Sequence, residues 1–331
     1  MMFTALLGNI RAKKELELLV EKKAVPNSLL FTGLDGVGKK LFAKELAIAL
    51  MYPDGCSQEI AQHIRKEAHP DLHLITPESK TGMHAIAEMR KLIDELFLAP
   101  FESKAKVFII ADAERMLPSS SNALLKTLEE PASDSYLILL SSKAEELLPT
   151  VASRCAKIRF SPLSEEDIFS LLEKWDKSSL GSKYIAALAQ GSAARAYALA
   201  FHPLQRERSE FLCSLLSTSG ISPGEMTRVF AKIEELFSKE EEGSLDWHKD
   251  VELLLAQIFM WYRDLYLLKM GGDPNLLYFL DKLPLLQKRC LYSFPSFDKL
   301  HDIFEKARLG IERNIKLKVV LEYLFLELGI L

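Results

Sequence analysis

The chain has 331 residues, 48% of them hydrophobic and 27% charged. That is room for about two domains with sizeable cores, and it excludes disorder and a disulfide-stapled miniprotein. Lys plus Arg number 42 against 46 Asp plus Glu, a net charge of −4, so nucleic acid is not held by overall charge and any DNA contact has to be local or shared with a partner.

The opening stretch places Arg11, Lys13 and Lys14 behind a short apolar run and shows no signal-peptide cleavage pattern. Leu29–Thr32 reads as a strand, followed by a glycine-rich turn and a helix from about Lys40 to Leu50. Asp71–Ile75 is a second strand, and Met83–Leu98 an amphipathic helix. Val107–Ala111 is an uninterrupted apolar strand, Ser119–Glu130 a helix ended by Pro131, and Tyr136–Leu140 and Ala156–Phe160 are further strands. Strands alternating with helices predict a parallel sheet covered on both faces.

Beyond Phe160 only helical periodicity remains, starting from the capping-box-like Ser164–Asp167. Gly181 and Gly191 divide this region, Phe201-His202-Pro203 marks a boundary, and the polar run Ser238–Ser244 is a loop. Val251–Met270 and Leu317–Leu331 are long apolar helices; the first carries Glu252, Arg263, Asp264 and Lys269, four charges that mark a core helix rather than a membrane span. The expected organisation is an α/β domain over 1–161, a small helical domain over 162–203 and an all-helical domain over 204–331.

Gly33, Gly36, Gly38 and Lys39 fit the G-x4-G-K spacing between a strand and a helix, the context in which backbone N–H groups and a helix N-terminus wrap a phosphate. The next position calls for Ser or Thr, whose hydroxyl ligates Mg²⁺; this chain has Lys40, whose ammonium cannot. Asp112 ends the buried strand where an acid would hold Mg²⁺ through water. The water-polarising Glu expected directly after it is replaced by Ala113, and Glu114, one step later, is expected to point elsewhere. A glycine-rich turn without a ligand, and an aspartate that merely ends a strand, are the plainer readings. Both departures fall on the chemical parts, which implies weakened or absent hydrolysis.

Several blocks carry a family resemblance: Leu7-Gly8-Asn9, Ser28–Gly33, His69-Pro70-Asp71, Asn122–Pro131 (NALLKTLEEP) and Ser153-Arg154-Cys155. In this order the chain resembles, over roughly residues 5 to 200, the delta-prime branch of bacterial DNA polymerase III clamp-loader subunits, AAA+ proteins. The resemblance implies that Arg154 of the SRC motif reaches the ATP of an adjacent subunit, where a guanidinium in trans stabilises charge on the transferring phosphoryl group. It also places Ser142, after Ser141, near the first sensor and Arg195 in the second-sensor segment of a lid, although a turn cap and a solvated arginine are the ordinary meanings of such residues.

The resemblance implies tau/gamma and delta subunits as partners, with the sliding clamp and primed DNA reached through the complex, and a C-terminal collar domain; the four scattered cysteines, none at CxxC spacing, and the charged core helix predict a cytoplasmic protein outside the membrane. ATP binding, structural or vestigial, is left open; Mg²⁺ is not expected. Many relatives carry four zinc-binding cysteines after the first helix, whereas this chain keeps only Cys56 there, so zinc is not expected, and His63, His69 and His73 are badly placed to replace it. The other readings are an active ATPase of the tau/gamma type, a small-molecule kinase, an independent P-loop protein, and a DNA-binding module using Lys306, Arg308, Arg313, Lys316 and Lys318, which otherwise form one solvated helix flank.

Overall fold

The computed structural model describes residues 3, 6–78, 83–84, 86–132, 134–175, 182–238, 247–313 and 315–330. The chain packs as two units, Met1–Leu171 with Gln190–Ala194, and Leu172–Ala189 with Arg195–Leu331.

The first unit is built on β1 (Ser28–Thr32), β2 (Leu72–Ile75), β3 (Lys106–Ile110), β4 (Ser135–Ser141) and β5 (Ala156–Arg159). They form one five-stranded parallel sheet in the order β2-β3-β4-β1-β5. The alternation of side chains along a strand sorts the apolar runs into two layers. Leu29, Phe31, Val107, Ile109, Ile138 and Leu140 pack with residues of α1 (Ile10–Glu21), α2 (Lys39–Met51) and α3 (Gln58–Arg65). Their neighbours Leu30, Phe108, Ile110, Leu137 and Leu139 pack with α4 (Ile86–Leu96), α5 (Pro118–Glu129) and α6 (Pro149–Ala152). α4 is shorter than its apolar period suggested; Leu98 N already turns back to Glu95 O (3.2 Å), and Pro100 follows.

The block His69-Pro70-Asp71 has a structural role. Asp71 is fully buried; its Oδ1 accepts from Phe101 N (2.6 Å) and its Oδ2 from Glu102 N (3.0 Å), Ser103 N (2.9 Å) and Ser103 Oγ (2.9 Å). Burial pushes this carboxyl up, but those four donors outweigh it and hold it below the usual aspartate range. His69 Nδ1 accepts from Asp71 N (3.1 Å), which leaves the proton on Nε2, beside Tyr52 Oη (2.8 Å) and Glu102 Oε1 (3.1 Å). His73 is committed elsewhere, to Glu95 (3.2 Å) and the face of Phe108. Among the described residues no group of three His, Cys, Asp or Glu is arranged to hold a metal ion.

After α7 (Glu165–Trp175), which runs out of the first unit, the second unit contains α8 (Ser182–Leu188), α9 (Ala193–Phe201, of which Ala193 and Ala194 belong to the first), α10 (Pro203–Leu216), α11 (Pro223–Ser238), α12 (Trp247–Lys269), α13 (Leu283–Cys290), α14 (Phe297–Glu312) and α15 (Leu317–Glu327). Gly191 separates α8 from α9; the break expected at Gly181 and the loop over 239–244 lie outside the described residues. α12 is a core helix, with Ile258, Trp261, Tyr262 and Leu265 at 0% exposure. Its Asp264 is equally buried; Oδ2 accepts from Phe279 N (2.9 Å) and Oδ1 from Arg263 (2.7 Å). Among the described residues no helix is long and apolar enough to cross a membrane.

Two expectations for this unit are corrected. The last helix ends at Glu327 and does not run to the C-terminus: Gly329 takes a left-handed φ of 66°, with Gly329 N bonded to Leu326 O (3.1 Å) and Ile330 N to Phe325 O (3.0 Å), the Schellman closure. The fully buried Arg289 then pins that end through Leu328 O (3.0 Å) and Gly329 O (3.1 Å). The basic run 306–318 is not one helix flank either: α14 stops at Glu312, and Lys318 alone lies in α15.

Candidate functional site

In a parallel sheet the ligand-facing rim is the carboxyl edge, at the point where the connections change side. Here that point is β1, which the chain leaves for β2 at the far edge and which β4 and β5 later flank. Register brings the ends of the central strands to one level: Thr32 pairs with Ser141 and with Arg159, and Ile110, two residues before Asp112, with Leu139, two residues before Ser141.

The turn after β1 is folded as a phosphate loop. Gly33, Gly36 and Gly38 all take positive φ, 148°, 77° and 100°, which L side chains rarely adopt. Gly33 N is bonded to Ser141 O (3.2 Å), and a Cβ on Gly33 would lie 2.3 Å from Phe160 O. Gly33→Ala is therefore expected to destabilise the first unit by about 1–3 kcal/mol, read as a lowered midpoint in urea unfolding; an unchanged midpoint would refute this packing.

The loop's polar groups are paired within the chain. Lys39 is 8% exposed, and its Nζ donates to Gly33 O (2.6 Å) and Leu34 O (2.9 Å). Burial pulls its ammonium below the usual lysine value, opposed by the nearby Asp35, Glu114 and Asp112. Gly36 O accepts from Ala193 N (2.9 Å) and Ala194 N (3.3 Å) at the start of α9. A Cβ on Gly36 would lie 2.2 Å from Ser192 Oγ, so this segment rests directly on the loop.

Lys40, at the hydroxyl position, turns to Glu67 (2.8 Å) together with Lys44 (2.6 Å). Burial raises the Glu67 carboxyl, but the two ammonium groups bring it below its usual value. Asp112 has a left-handed φ of 47° and leads into a 3-10 turn, Ala113–Arg115; its carbonyl accepts from Arg115 N (2.9 Å). Glu114 does not simply point away from the rim: its Oε1 accepts from Ser142 N (3.1 Å) and Ser142 Oγ (2.6 Å) at the end of β4. Burial raises this carboxyl and the serine hydrogen bonds more than reverse it. Arg195 belongs to the second unit.

The SRC motif lies in the first unit at a distance from the loop along the chain. Cys155 is buried in the layer that contains Leu124, Leu128 and Val151; burial pushes its thiol up to about 11, so it is an anchor and not a nucleophile. Arg154 Nε (2.9 Å) and Nη2 (2.5 Å) donate to Glu129 Oε1, and Nη1 donates to Thr150 O (3.0 Å). Glu129 is the last residue of α5, so NALLKTLEEP and SRC, separate in sequence, meet here. Sequence reasoning missed Glu129 as a partner of Arg154; an acidic residue in the last turn of a helix that Pro131 ends, where the helix dipole disfavours it, was the available signal.

The sheet order, the glycine loop after β1 and the acid after β3 define a P-loop protein of the AAA+ class. A family model described as "DNA polymerase III, delta subunit" matches residues 8–164. The chain is 26% identical over 328 residues to the delta-prime subunit of DNA polymerase III from Bacillus subtilis (strain 168), covering 96% of this chain and 95% of that one. It is 31% identical to the delta-prime subunit from Pseudomonas aeruginosa over 137 residues, 40% of this chain and 42% of that one. With the gamma subunit from Buchnera aphidicola subsp. Schizaphis graminum the identity is 31%, but the match covers 56% of this chain and 53% of that protein, about half its length. Over nearly its whole length the chain is thus similar to a DNA polymerase III delta-prime subunit, and over its first half to the family model.

Proposed function

We propose that the chain is the delta-prime subunit of a clamp loader, a largely non-hydrolysing member that docks beside a tau/gamma subunit, offers Arg154 to that neighbour's ATP and helps to load a sliding clamp on primed DNA. The observation that carries this reading is the contrast between the two sites. At the phosphate loop Lys39, Gly36 and Lys40 are all engaged by groups of the same chain. At the SRC motif the Arg154 guanidinium, 36% exposed beside the buried Cys155, is also bonded to Glu129 and Thr150 O, but those contacts use three of its five donors and leave two for a phosphate. A loop whose lysine serves its own carbonyls and whose Mg²⁺ hydroxyl is an ion-paired lysine favours a vestigial site; if ATP enters, Gly33, Gly36, Gly38 and Lys39 are the residues that would cradle its phosphates. Residues 162–203 and 204–331 would then serve as lid and collar.

The test is ATP turnover by tau/gamma and delta with clamp and primed DNA, without the chain, with it, and with its Lys39→Ala form. The chain is expected to raise turnover, and Lys39→Ala to raise it equally. Turnover by the isolated chain that disappears in Lys39→Ala would instead make it an active ATPase of the tau/gamma type.

A further inference from the structure

The role proposed for Arg154 raises the question of what aims its side chain before a neighbour arrives. A guanidinium has five N–H donors in a planar fork on a long flexible stem. In this chain three of the five are used: Nε and Nη2 on Glu129 Oε1, and Nη1 on Thr150 O. The two holding groups come from different helices. Glu129 closes α5 and Thr150 lies in α6, and the side chains of both helices pack in the same layer as Cys155. The two groups that hold the arginine are therefore attached to one buried apolar layer, although the arginine and the glutamate are 36% and 52% exposed.

We propose that Glu129 is the positioning residue for Arg154: it sets the direction of the guanidinium so that the two remaining donors meet the phosphate oxygens of a nucleotide held by the adjacent subunit. This rests on the trans-arginine reading above and adds the group that makes it work. Two features argue for aiming over locking. Both arginine nitrogens share one carboxylate oxygen, so the donors left over suffice for a phosphate without breaking the pair. The pair is also solvent-exposed, where an ion pair is weak and does not hold an arginine against a triphosphate.

The experiment measures turnover by the reconstituted assembly with clamp and primed DNA, using wild type, Glu129→Ala, Glu129→Gln, Arg154→Ala and the Glu129→Ala/Arg154→Ala double variant. Glu129→Ala is expected to lower the chain's stimulation about tenfold, part of the roughly hundredfold that a 1 Å misplacement of a catalytic group can cost. Glu129→Gln, whose amide oxygen still accepts from both nitrogens, should restore most of it. The double variant should equal Arg154→Ala, because a residue that acts only through another adds nothing once that other is gone. Glu129→Ala at or above wild type would make the glutamate a lock and overturn the proposal. So would Glu129→Gln as poor as Glu129→Ala, or a double variant clearly worse than Arg154→Ala. Arg154→Ala without effect would remove the trans-arginine reading itself, which separates that failure from the failure of Glu129.

Discussion

Arg154→Ala is expected to bring ATP turnover by the assembly down to the level seen without the chain, while leaving the chain's own fold and its incorporation unchanged. A guanidinium supplied in trans is worth about 10³-fold or more at the site it completes. The expected fold is unaffected because, among the described residues, the hydrogen bonds of the Arg154 side chain go to Glu129 and Thr150 O at the surface, and exposed pairs of this kind contribute about 0–1 kcal/mol. Arg154→Lys should behave almost as alanine does: the three donors of an ammonium sit on one nitrogen without the planar fork, so they cannot span Glu129, Thr150 O and a phosphate as the separated guanidinium nitrogens can. Turnover measured beside size-exclusion of the complex separates the two ways to lose activity. If Arg154→Ala assembles and turns over like wild type, the SRC arginine has no role in the neighbour's chemistry, and an independent P-loop protein becomes the better reading.

The largest stability effect should follow from Asp71→Ala. It removes both carboxylate oxygens and leaves three backbone N–H groups without their acceptor, while the Ser103 hydroxyl keeps Ala105 O (2.7 Å). A cost of about 3 kcal/mol is expected, which for a unit of this size is roughly 6–12 °C in melting temperature. Asp71→Asn should rescue little, because its NH₂ would face donors already aimed at Oδ1 or Oδ2. The folded-state carboxyl lies below its ordinary value of 3.8, so its contribution is present above about pH 4 and disappears as pH falls through the lower folded value. Wild type should therefore lose stability over that pH range while Asp71→Ala does not, so that the two stability curves converge as pH falls. Wild-type and Asp71→Ala proteins that melt together at pH 7 would contradict the four-donor cradle.

Much of the α/β half was legible because its signals are local. Val107–Ala111 and Tyr136–Leu140 are hydrophobic at every position, a pattern that burial on both faces requires, and both expected strands lie within a residue of the observed limits, Lys106–Ile110 and Ser135–Ser141. Gly33, Gly36 and Gly38 were legible as a turn because side chains disfavour their conformations. α1 and α3 were not singled out: α1 begins without a side-chain cap, Asn9 being left-handed, and α3 has eight residues. The C-terminal helices were read as helices, but where the last one stops depends on Gly329 and on a buried arginine forty residues upstream in sequence.

By itself the sequence determined the class of the molecule: alternating apolar runs and helical periods for a parallel sheet, a glycine loop with Lys40 where a hydroxyl belongs, and the NALLKTLEEP and SRC blocks. Only the tertiary structure decided what those residues do to one another. It placed Lys40 on Glu67, Lys39 on its own loop, Glu114 on Ser142 and Glu129 on Arg154. The reason is physical: composition and period follow from short-range sterics and burial, whereas the partner of a charged side chain is set by which elements the sheet order brings within about 3 Å, and that distance is written nowhere along the chain.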